Sequence, residues 1–128
     1  GACGNNPSCG ASSADAANYT GLLQEFRTQM NALAGGSGVL LTTAVPAGSE
    51  KIGLIDVPGM AANVNWINLM SYDFFGAWKM LTAHHSALDA WTGMPSTSPE
   101  NTYYSSYAVS DWTSKGMPAG KIHLGIGF

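Results

Sequence analysis

The stretch NWINLMSYDFFGAW, residues 65–78, sets a phenol and a carboxylate side by side at the end of an apolar run. Tyr72 can donate and accept hydrogen bonds, and Asp73 can hold charge or a proton beside a reacting group. The same residues can also be a satisfied core tyrosine and a loop cap. Position separates these readings, because a charge just past the end of a buried strand faces a ligand where a mid-strand charge would not be tolerated. Two other groups invite chemistry. His84 and His85 are adjacent, but no third ligand is spaced to join them and His123 lies far along the chain, so structural loop histidines are expected and no metal site. Cys3 and Cys9 sit in one Gly/Asn/Pro/Ser loop. Two cysteines fall short of the usual four zinc ligands, and the reading favours a disulfide across a turn over two free thiols.

The elements that must position these residues follow from periodicity. Tyr19, Leu22, Leu23, Phe26, Met30 and Leu33 recur at helical spacing, and Gly35-Gly36 closes the pattern, which predicts a helix over 14–34. Ser12-Ser13 before Asp15 reads as its N-cap arrangement. The run GVLLTTAV, 38–45, predicts a strand buried on both faces, of the parallel type. Residues 50–62 are weakly helical, with Pro58-Gly59 breaking the pattern. Residues 64–71 predict a second buried strand, 76–101 a long irregular loop, 102–115 a helix ended by Gly116, and 121–126 a third strand. The order α-β-α-β-α-β implies α/β architecture with a parallel sheet, either doubly wound or a piece of a (β/α) barrel. In both, ligands meet the carboxyl ends of the strands, where Tyr72 and Asp73 fall.

Composition excludes several classes. The chain has 128 residues and 45% hydrophobic content, enough for one core. Only 10% of residues are charged, against roughly 25% in an average soluble domain, a balance common among secreted proteins. The net charge is −3 and the five Lys and Arg are scattered, which argues against a nucleic-acid partner. No apolar run approaches the roughly 20 residues of a membrane span. Neither G-x-G-x-x-G after a strand nor G-x-x-x-x-G-K-[ST] occurs, so dinucleotide and P-loop cofactors lose their main support, and no cofactor is expected.

NLMSYDFFGAW followed by TAHHSAL resembles the sixth-strand motif of family 18 glycoside hydrolases, the chitinases. DAANYTGLLQEFRTQMN is similar to the helix after that family's fourth strand, LLTTAVPAG to the fifth strand and its turn, and GMPAGKIHLGIGF to the seventh strand with its lead-in. The resemblance covers nearly the whole chain. It implies a partial (β/α)8 barrel running from about helix 4 to strand 7, with residues 1–128 forming a fragment of a single catalytic domain. The family's D-x-x-D-x-D-x-E signature, whose last residue is the acid, does not occur here, and none of the eight carboxylates has that spacing. Gly127 stands where the family usually has Pro.

The resemblance also implies roles. Hydrolysis in this family is substrate-assisted: the sugar's acetamido group attacks the anomeric carbon, and configuration is retained. Tyr72 matches the tyrosine that bonds that acetamido group, and Asp73 matches the aspartate facing the same pocket; both are expected to act in catalysis. Met70 would line the pocket floor, and Trp78 would offer its ring to sugar on the acceptor side. Phe74, Phe75, Trp66 and Trp112 are read as packing. The expected function is a secreted, monomeric chitinase acting on chitin or chito-oligosaccharide, with neither nucleic acid nor membrane as partner. The segment alone should be inactive without the acid. The alternative is a chitin-binding lectin on the same barrel, without hydrolysis.

Overall fold

The computed structural model describes residue 3 and residues 8–128. Helix α1 spans Asp15–Ala32, α2 Ser49–Ile52, α3 Val57–Asn63 and α4 Ser105–Ser114. Strands β1 (Thr42–Pro46), β2 (Trp66–Met70) and β3 (Ile122–Leu124) form one parallel sheet in the order β1-β2-β3. The chain is thus α/β, with α1 ahead of the sheet, α2 and α3 between β1 and β2, and α4 between β2 and β3. Among the described residues no helix is long and apolar enough to cross a membrane.

Several boundaries differ from the sequence expectation for local reasons. The expected helix over 50–62 is two helices. Pro58 sits in the first turn of α3, and Asp56 caps that helix by accepting from the Gly59 N–H. A fresh start is therefore favoured over continuation of α2. The first strand begins at Thr42 because a short 3₁₀ turn, Gly36–Gly38, takes up the residues before it. At the start of α1, Ala14 is the N-cap and carries no capping side chain. The Asp15 carboxylate reaches back to the Ser12 N–H at 3.0 Å and to the Ser12 hydroxyl at 2.9 Å. Those bonds, the backbone one foremost, hold the Asp15 carboxyl below its ordinary range.

The expectation that the strands are buried on both faces is overturned. Along β2, Ile67 and Leu69 are buried whereas Asn68 and Met70 are exposed. One face of the sheet packs on a core that includes Ile52, Met60, Ala108, Trp112 and Met117. The other face has no covering layer among the described residues, so β2 alternates at the pleat period. The α1 stripe is open for the same reason. Leu23 is buried, but Leu22 and Phe26 are half exposed. Side-chain ties hold α1 in place. Arg27 donates to the carbonyls of Asn63 and Val39 and to Asn65 Oδ1, and Tyr19 Oη lies 2.6 Å from Thr43 Oγ1. Lys121 closes the far end of α3, donating to the Ala61 and Val64 carbonyls, where a cation suits the helix C-terminus.

Candidate functional site

Because β1 and β2 run parallel, with Pro46 beside Met70, the chains leaving both strands emerge on one rim. Ser71, fully buried, fixes the exit of β2: its hydroxyl donates to the Gly125 carbonyl at 2.6 Å, and its own carbonyl accepts from the Ser86 hydroxyl at 2.7 Å. Tyr72 then lies across the segment after β3. A Cβ on Gly125 would stand 2.8 Å from the Tyr72 ring and 2.5 Å from the Leu69 carbonyl oxygen, so only glycine lets the ring approach this closely.

Asp73 has φ 55°, the left-handed region that aspartate tolerates better than most residues. That backbone turn aims its carboxylate at His85, whose Nε2 lies 2.8 Å from Asp73 Oδ1. Next to it the Phe74 N–H donates to the His85 carbonyl at 2.9 Å, so the loop carrying His85 is tied to the strand end twice. His84, by contrast, sets its ring edge-on to Trp91. Among the described residues no three His, Cys, Asp or Glu side chains group as a metal would need.

Met70, Tyr72 and Asp73 line one cavity of about 290 Å³, together with Pro46, Glu50, Lys51 and Tyr103 among others. Trp78 is not part of its wall. It stands 64% exposed, with its ring folded over Gly76. Phe74 and Phe75 are buried and pack against Tyr103, at 5.8 Å between centroids in each case. The Tyr103 hydroxyl donates to Glu50 Oε1 at 3.0 Å. Burial first, then the Glu50 charge and hydrogen bond, push the Tyr103 phenol well above its ordinary value, so it remains a donor. Sequence reasoning missed Glu50, Tyr103 and the contact of His85 with Asp73. The turn AVPAGSE at the end of β1 was the available signal for Glu50, since it leaves the sheet at the same rim as Tyr72.

The loop carrying Trp78 is anchored by Lys79, whose Nζ lies 2.6 Å from Glu100 Oε1 and 5.2 Å from the Tyr103 ring centroid. The Lys79 hydrogen bond holds the Glu100 carboxyl below its ordinary value of 4.5. A depressed carboxyl stabilises the fold above the unfolded value and loses that contribution as pH falls through the lower folded value. Glu100→Gln should therefore lower stability in the neutral region, leave it little changed at the acid end where Glu100 is already protonated, and so flatten the fall between them below about 4.5. Urea midpoints measured from pH 3 upward would check this; an unchanged acid limb would refute it.

Cys3 and Cys9 are joined by a disulfide, Cα to Cα 5.5 Å, closing a loop ahead of α1.

The family model for glycosyl hydrolases family 18 matches residues 4–128. The chain belongs to this family. It is 40% identical over 116 residues to a probable endochitinase of Caenorhabditis elegans, covering 88% of this chain and 18% of that protein. In structure it resembles chitinase ChiA74 from Bacillus thuringiensis, with TM-score 0.83 and 31% identity over 96% of this chain and 20% of that one. It also resembles catalytic domain 2 of the Ostrinia furnacalis Group II chitinase, solved as a mutant in complex with penta-N-acetylchitooctaose; the TM-score is 0.78 at 28% identity, covering 90% of this chain and 28% of that one. The family 18 chain thus spans about a fifth of the curated relative and between a fifth and somewhat over a quarter of these two solved chains.

Proposed function

We propose that this chain is part of a secreted, monomeric chitinase, contributing about helix 4 to strand 7 of a (β/α)8 barrel and one side of its sugar site. The observation that carries the reading is the convergence of Met70, Tyr72 and Asp73 on one cavity at the carboxyl rim of a family 18 sheet. In this reading an N-acetylglucosamine unit of chitin sits over Met70. The Tyr72 hydroxyl donates to its acetamido oxygen and orients that oxygen toward the anomeric carbon. The Asp73 carboxylate, steadied by His85, faces the same acetamido group and favours the positive charge that develops on its nitrogen as the ring closes. Trp78, standing outside the cavity, offers its exposed face to the neighbouring unit, where an apolar ring suits the flat side of a pyranose. The acid that protonates the leaving oxygen comes from outside these residues, since the D-x-x-D-x-D-x-E string is absent from them.

The test is hydrolysis of chito-oligosaccharides by the full-length protein, with the anomer of the first product read by NMR. Retention is expected, and inversion would remove the acetamido mechanism. Tight binding without cleavage would make the protein a lectin on the same barrel. The 128-residue chain by itself should turn over nothing, and activity from it would show that the acid lies within these residues.

A further inference from the structure

Glu50 enters the sugar site from a different strand than Tyr72 and Asp73, and its carboxylate is held in place. It follows β1 and lines the same cavity as Asp73, which follows β2. An exposed glutamate ordinarily samples many rotamers, and fixing it costs side-chain entropy. Here one hydrogen bond fixes it, and a neighbouring glycine leaves room for it. The Tyr103 hydroxyl donates to Oε1 at 3.0 Å, from a ring that is buried, stacked on Phe74 and edge-on to Phe75. The carboxylate also folds back over Gly48: a Cβ there would stand 2.7 Å from Oε2 and 2.9 Å from Oε1. Glycine at 48 is what leaves room for it. No donor among the described residues takes Oε2. The result is a preset acceptor on the cavity wall, with one oxygen engaged and one open. Lys51, next in the chain, lines the same cavity.

We propose that Glu50 is a specificity-determining residue, whose open carboxylate oxygen accepts a hydroxyl of the sugar unit adjoining the one at Tyr72, with Tyr103 as its positioning residue. The inference rests on the chitin reading above and extends it to a second unit of the chain. A carboxylate makes stronger hydrogen bonds to hydroxyls than a neutral acceptor does, and holding it in advance avoids the ordering cost at binding. Contact with the adjoining unit on the side away from the reacting bond is shared by ground and transition states, so its loss raises KM and leaves kcat alone.

The experiment uses the full-length protein and chitotetraose, with Glu50→Ala, Glu50→Gln, Tyr103→Phe and the double variant Glu50→Ala/Tyr103→Phe. Glu50→Ala should raise KM roughly 10- to 100-fold with kcat unchanged, the range expected for one charge-assisted hydrogen bond. Glu50→Gln keeps an acceptor and should fall between. Tyr103→Phe keeps the stacking and should raise KM less. In the Glu50→Ala background it should add nothing, because it acts only through that carboxylate. If the protein binds without cleaving, the same ratios are read as Kd by calorimetry. An unchanged KM for Glu50→Ala, or additive effects of the two substitutions, overturns the assignment while leaving the chitin reading standing. A wild-type protein that neither cleaves nor binds chito-oligosaccharides overturns both.

Discussion

Tyr72→Phe in the full-length protein is expected to lower kcat on chitotetraose by roughly 100-fold, the loss typical when an attacking group is no longer held in line with the reacting carbon. The substitution deletes a single oxygen. The ring remains seated against Gly125, and the strand end remains pinned by Ser71 and Ser86, so geometry is preserved. The hydroxyl holds the acetamido oxygen in the attacking orientation, so its loss is felt in the chemical step rather than in overall sugar binding. KM should therefore change little. Steady-state kinetics on one defined oligomer separates the cases. A rise in KM with kcat intact would show that Tyr72 only holds the ligand, as it would in a lectin. Asp73→Asn is the companion variant, because it keeps an oxygen facing His85 and removes only the charge.

Some of this was legible before any coordinates. Tyr72 and Asp73 could be placed because an apolar run ending in a charge marks the carboxyl end of a parallel strand, and β2 ends at Met70, two residues before Tyr72. Helix α1 was legible because six apolar residues recur at its period. Which face of the sheet is covered was not legible. A continuous apolar run reports that a strand is fit for burial on both sides, whereas Asn68 and Met70 lie open because no layer covers that face among the described residues. Trp78 shows a related gap: its motif fixes its place in the chain, but its ring lies over Gly76 and outside the cavity wall. The pair Glu50 and Tyr103 is separated by 53 residues and is brought together only by packing of α2 against α4 and its lead-in. No local period encodes such a contact. His85 meets Asp73 across 12 residues of irregular chain, which likewise carries no periodic signal.

The largest stability effect is expected at Trp112, which is fully buried and joins α4 to the rim of the site. Its indole Nε1 donates to the Pro46 carbonyl at 3.0 Å, and Pro46 is both the last residue of β1 and part of the cavity wall. Trp112→Ala removes the ring and the donor together and should cost about 3–5 kcal/mol, a large share of the 5–15 kcal/mol that holds a typical domain folded. Trp112→Phe fills most of the space but leaves the Pro46 carbonyl without its donor, at a cost of about 1–3 kcal/mol from that loss. Urea unfolding of the full-length protein should therefore rank wild type above Trp112→Phe and Trp112→Ala lowest. Equal midpoints for the two variants would mean that the hydrogen bond to Pro46, and not the packed ring, dominates. Trp112→Phe should also raise KM for chitotetraose with little change in kcat, because the wall it loosens holds Glu50 four residues further on and touches no reacting atom.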